Sequence, residues 1–158
     1  MGGVYGFEIT NQELLNKIEL RTKNQVMDIG KIAKIAKSIT VEELNFSFEK
    51  ESTDPNKLIT TKKANCIGYS SMFNSFANQI IISKGITGEI ESKHKIGKLE
   101  LLGLNIHQFL KSPFFRDHDF NQLRNLKTGE VISIDPSLSD IFWIEKVTIK
   151  TNKLKDGE

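Results

Sequence analysis

The sequence predicts an α+β fold, with helical patterns dominating the first half of the chain, strand patterns the second, and a cysteine-bearing helix between them. Three observations carry this reading. Residues 66 to 84 repeat apolar side chains at intervals of three and four. Residues 118 to 135 divide into two extended segments around a short polar loop. Before residue 40, two further stretches combine helical spacing with a polar opposite face. At 158 residues the chain suffices for one compact domain. Residues 1–158 are therefore read as a single domain, with N-terminal helices over 10–40 and a core over about 40–145.

Taken in order, Leu14, Leu15, Ile18 and Leu20 give a first helix over Asn11 to Arg21, with Thr10 as cap and Glu13 three residues on. A second, Val26 to Ile39, gathers Val26, Ile29, Ile32, Ala33 and Ala36 on one side, with Lys31, Lys34 and Lys37 as a solvated stripe on another. Leu44, Phe46 and Phe48 then alternate with polar residues as in a half-buried strand, a poor setting for the Asn45-Phe46-Ser47 sequon. Glu51 to Lys57, with Asp54-Pro55-Asn56, reads as a loop. Asn65 is a good N-cap for the next helix, whose repeat runs through Cys66, Tyr69, Met72, Phe73, Phe76, Ala77 and Ile80 to a stop at Gly85. Ile86 to Ile96 and Lys98 to Leu104 are strand material broken at Gly97, and Asn105 to Leu110 is a short helix candidate ended by Pro113. Strands over 118–124 and 129–135 flank the loop Asn125 to Thr128, and the tail after Thr151 is a solvated end.

Composition narrows the function. Hydrophobic residues at 38% and charged ones at 27% suit a globular fold. The longest aliphatic run is Ile80-Ile81-Ile82, far short of the roughly 20 apolar residues of a membrane span. Met1 to Gly6 lack the basic start and apolar stretch of a signal peptide, which leaves the compartment open. The net charge is only +2, and Arg occurs only at Arg21, Arg116 and Arg124, which argues against a nucleic-acid partner. The single cysteine, Cys66, excludes an internal disulfide and a CxxC metal site. Scattered histidines and the lack of an Asp/Glu-rich loop argue against zinc and calcium, so neither metal nor cofactor is expected. Gly68-Tyr69-Ser70 is not a nucleophile elbow, since Met72 stands where that motif needs Gly.

A cysteine in the first turn of a helix faces unsatisfied amide N–H groups and the positive end of the helix dipole, which favour thiolate. The same place also suits an inert core cysteine. A nucleophile needs a base and the base an orienting group, and the candidate imidazoles are His94, His107 and His118. In the register that a loop of Asn125 to Thr128 implies, His118 faces Asp135, Phe120 faces Ser133 and Gln122 faces Val131. That carboxylate would hold the ring tautomer. His107 and His94, the latter in a Lys-rich strand, have no evident carboxylate and read as surface or partly packed residues; Phe114-Phe115 reads as a substrate-gripping lip or as core.

The segments Asn65-Cys66-Ile67-Gly68-Tyr69-Ser70-Ser71-Met72-Phe73, His118-Asp119-Phe120-Asn121 and Ile134-Asp135-Pro136-Ser137 resemble, in order and spacing, three motifs of the transglutaminase-like superfamily of cysteine enzymes. The resemblance spans about residues 40 to 140. Phe120 stands where the family usually has Trp, and Val131 and Ser133 replace an aromatic often found before the Asp-Pro pair. The resemblance implies a papain-like fold, a central helix packed on an antiparallel sheet, with Cys66 as nucleophile, His118 as base and Asp135 as orienting acid. It implies acyl transfer on a peptide or protein substrate: hydrolysis of a peptide-type amide first, amine transfer second. The Cys66 N–H is a natural oxyanion donor, and Asn65 is either the second donor or simply the cap. A non-catalytic binding or scaffold module retaining the fold is the alternative.

Overall fold

The computed structural model describes residues 6–101, 104–105, 118–137 and 148–150. The side chains of 97–101, 104–105, 118 and 148–150 lie outside the described part. Four helices and two sheets are present among the described residues.

Short polar side chains decide where the helices begin. α1 (Gln12–Thr22) is capped by Asn11, whose side chain accepts from the Leu14 N–H, so the cap is one residue later than Thr10. α2 (Ile29–Glu43) starts after Asp28, which accepts from the Lys31 N–H at 2.8 Å; Val26, expected on its apolar face, precedes it and is 86% exposed. The last three residues of the segment expected as a loop, Pro55 to Lys57, instead open α3 (Pro55–Thr61). Asp54 caps it through the Asn56 N–H, and Pro55 occupies the first turn, where its missing N–H leaves no bond unmade. Asp-Pro starts a helix as readily as it makes a turn, and only the tertiary burial of Leu58 and Ile59 decides between them. The expected strand at Leu44 to Phe48 contracts to β1 (Asn45–Phe46), paired in parallel with β2 (Lys63–Ala64).

α4 (Cys66–Ser83) has the predicted start and cap, with the Asn65 side chain accepting from the Gly68 N–H, and ends one residue before the expected Lys84. Tyr69, Met72, Phe73, Phe76 and Ile80 are fully buried, in one core with Leu14 of α1, Ile32, Ala36 and Ile39 of α2, and Leu58 of α3. The other side of α4 meets the main sheet. The chain enters α4 closely over its own approach strand, since a Cβ on Gly68 would lie 2.8 Å from the Ala64 Cβ. Gly68→Ala is therefore expected to destabilise by about 1–3 kcal/mol through overpacking, against the roughly 1 kcal/mol that helix propensity alone would gain. Urea denaturation checks the sign.

The main sheet is antiparallel, ordered β4 (Leu104–Asn105), β3 (Ile90–Leu101), β5 (His118–Asn125), β6 (Val131–Ile134), with β7 (Thr148–Lys150) also on β3. β3 runs unbroken through Gly97, contrary to the expected break. The residue instead marks a change of partner: Gly97 pairs with His118 of β5, and Lys98 with Lys150 of β7. The Asn105 to Leu110 helix candidate, His107, and Phe114-Phe115 fall outside the described residues, apart from the Asn105 backbone in β4.

The β5–β6 register differs from the expected one by two residues. Gln122 pairs with Ser133 and Asn121 with Ile134, while the Asn125 N–H donates to the Glu130 carbonyl. The loop is thus Leu126 to Gly129, one residue later than expected. Gly129 has φ 77°, a turn conformation that a strand position does not use. Extending this register sets position 120, and not 118, across from 135, so His118 and Asp135 are diagonal rather than direct neighbours along the backbone.

One ion pair ties the helical layer together. The Glu43 side chain, only 4% exposed, accepts from Lys17 of α1 and, at 2.7 Å, from Lys62 at the end of α3. Burial pushes its carboxyl up, but the hydrogen bonds and charges of the two lysines outweigh this and hold it below the usual carboxylate range. Among the described residues no helix is long and apolar enough to cross a membrane.

Candidate functional site

Cys66 is the first residue of α4 and is 6% exposed. Of the first amides of the helix, the Gly68 N–H is taken by the Asn65 side chain and the Tyr69 N–H by the Asn65 carbonyl. The Cys66 and Ile67 N–H groups make no hydrogen bond within the described residues and remain available to an anion at the positive end of the helix. Asn65 is committed to the cap, and its Nδ2 lies 3.5 Å from the Glu49 carbonyl. Capping is thus its visible role.

The sulfur meets a carboxylate that the sequence reading passed over. Cys66 Sγ lies 3.9 Å from Asp119 Oδ2, and the other oxygen, Oδ1, accepts from His94 Nε2 at 2.7 Å. Asp119 is 7% exposed, and the His94 side chain 28%. This corrects the reading of His94 as a histidine without a carboxylate partner. Asp119 on β5 and His94 on β3 come together because Asp119 pairs with Ile96, which places it diagonally across from His94, the partner of Asn121. A period-2 reading of 91–95 contained the signal: Lys93 and Lys95 alternate with Ser92 and His94, so the lysine content describes only one face of the strand.

The same face of the sheet continues as a polar seam against α4. The Asn121 side chain donates to the Ser70 carbonyl at 2.9 Å, and Ser92 Oγ donates to Asn74 Oδ1 at 2.8 Å. Cys66, Ser70, Asn74 and Asn78 recur every fourth residue, so they form one stripe along α4, beside a second polar row at Ser71, Ser75, Gln79 and Ser83.

The backbone of His118 opens β5, opposite Gly97, and its side chain lies outside the described part. Asp135, directly after β6, is 3% exposed, and its Oδ1 accepts from the Ser137 N–H at 3.0 Å and the Ser137 hydroxyl at 2.6 Å. No group of three or more His, Cys, Asp or Glu among the described residues is arranged to hold a metal ion. No protein-family model matches the chain, and no curated protein matches it either.

Proposed function

We propose that the protein is a cysteine-dependent acyl-transfer enzyme of papain-like, transglutaminase-like fold, hydrolysing a peptide-type amide through a thioester on Cys66. The observation that carries the reading is the thiol in the first turn of a buried helix beside two amide N–H groups that make no hydrogen bond among the described residues. The chain order, cysteine helix, then β5 opening at His118 and β6 ending just before Asp135, supports it further.

In this mechanism the Cys66 sulfur attacks the carbonyl carbon while His118 takes the thiol proton. The displaced electron pair on oxygen is held by the Cys66 N–H. Cleavage of the C–N bond sends the amine out with the proton from His118, leaving the thioester. Water then attacks, again giving a proton to His118, and C–S cleavage returns that proton to the sulfur and releases the acid. Asp135 keeps the ring oriented.

Amide hydrolysis on a peptide library, followed with wild type, Cys66→Ala, His118→Ala and Asp135→Ala, tests the reading. Cys66→Ala is expected to abolish turnover, and His118→Ala to reduce it by about 10²–10⁴-fold. Because residues acting as a unit are non-additive, adding Asp135→Ala to His118→Ala should change little more. Full activity in His118→Ala would remove it from the mechanism, and absence of any Cys66-dependent turnover would favour the binding module.

A further inference from the structure

We propose that Asp119 and His94 form a positioning pair for the nucleophile: in the resting thiol Asp119 accepts from the Cys66 S–H and aims the sulfur until His118 takes that proton, and His94 fixes the plane of the Asp119 carboxylate. This rests on the reading of Cys66 as nucleophile and adds residues to it. Asp119 is a carboxylate, 7% exposed, at a helix–sheet contact, a placement that is unfavourable without compensation. Its described side-chain partners are the sulfur at 3.9 Å and the imidazole at 2.7 Å, one on each oxygen. It also stands at the positive end of α4, where an anion is stabilised.

The order of the three groups distinguishes this pair from an acid–base triad. In a triad the imidazole lies between nucleophile and carboxylate, whereas here the carboxylate lies between thiol and imidazole. Among the described residues His94 makes no hydrogen bond to Cys66, and what it transmits through Asp119 is orientation. A bond to sulfur at 3.9 Å adds little energy, but it selects one direction for the side chain. Misplacing a reacting group by about 1 Å slows reaction by about a hundredfold.

The test measures acylation by p-nitrophenyl acetate, read as p-nitrophenolate release, alongside alkylation by iodoacetamide and the melting temperature. Asp119→Ala is expected to slow acylation by about tenfold to a hundredfold at little-changed KM. Iodoacetamide, small and undemanding in approach, should still label Cys66 within a few-fold of the wild-type rate. His94→Ala should move acylation in the same direction, and His94→Gln, whose amide N–H can still donate to Asp119, should recover most of it. The double Asp119→Ala/His94→Ala variant should be no slower than Asp119→Ala alone. Lowered melting temperatures with unchanged acylation would make the pair purely structural and overturn the proposal. Equal loss in His94→Gln and His94→Ala, with the basic dependence of the pH–rate profile abolished, would overturn it by making His94 the base. Cys66→Ala reports separately: acylation that survives it refutes the nucleophile reading itself, whatever the pair does.

Discussion

Replacing Lys17 and Lys62 together by methionine is expected to destabilise the fold by about 3–5 kcal/mol, the penalty of stranding a buried carboxylate without a counter-charge. Glu43 is the buried member of the trio, whereas the Lys17 and Lys62 side chains are 27% and 49% exposed. Either single replacement leaves one ammonium on the carboxylate, so each should lose much less than half of the double effect. The pH dependence follows from the direction of the Glu43 shift. Its folded carboxyl titrates below the ordinary value of 4.5, so the folded state binds the proton less readily than the unfolded chain. The stabilisation is fully present above about pH 4.5 and disappears as pH falls through the lower folded value. In the double variant the buried carboxyl protonates more easily, and its deficit against wild type should narrow in acid. Urea denaturation at pH 7 and pH 4 measures both effects; an equal gap at the two values would refute the assignment to Glu43.

Phe73→Ala should remove about 3–5 kcal/mol, since the ring is fully enclosed in the middle of α4 and truncation leaves a cavity. In a domain whose total stability is of the order of 5–15 kcal/mol, that lowers the melting temperature by roughly 10 °C. Ile82, on the same helix but 57% exposed, provides the contrast: its alanine variant should stay within about 0.5 kcal/mol of wild type. Calorimetry on the pair separates burial from helix propensity, and similar losses for both would place α4 differently from the structure.

The α4 helix was legible because three signals agreed: an asparagine cap, an apolar repeat over eighteen residues and a glycine stop. Where signals conflicted, tertiary contact decided. Asp54-Pro55 was ambiguous between turn and helix, and a chain of only two buried aliphatics, Leu58 and Ile59, resolved it. The hairpin itself was visible, but its register depended on whether Gly129 belonged to strand or loop, and its positive φ puts it in the loop. Cys66 was legible as a candidate from its cap alone. Asp119 and His94 were not, because their meeting requires the β3–β5 register, a pairing between segments more than twenty residues apart that no local pattern encodes.

The stripe of Ser70, Asn74 and Asn78 has a consequence for the angular setting of α4. An apolar ridge can roll by tens of degrees on a sheet with small change in contact, because dispersion has no direction. Here the Ser70 carbonyl must meet Asn121 and the Asn74 amide must meet Ser92. Rolling the helix by one residue, about 100°, would press those amides into the aliphatic layer with their hydrogen bonds unmade. The contact therefore works as a keyway. The azimuth of the Cys66 sulfur is dictated from Asn74, about 12 Å further along the helix axis, so the direction of the thiol is a property of the whole helix–sheet joint.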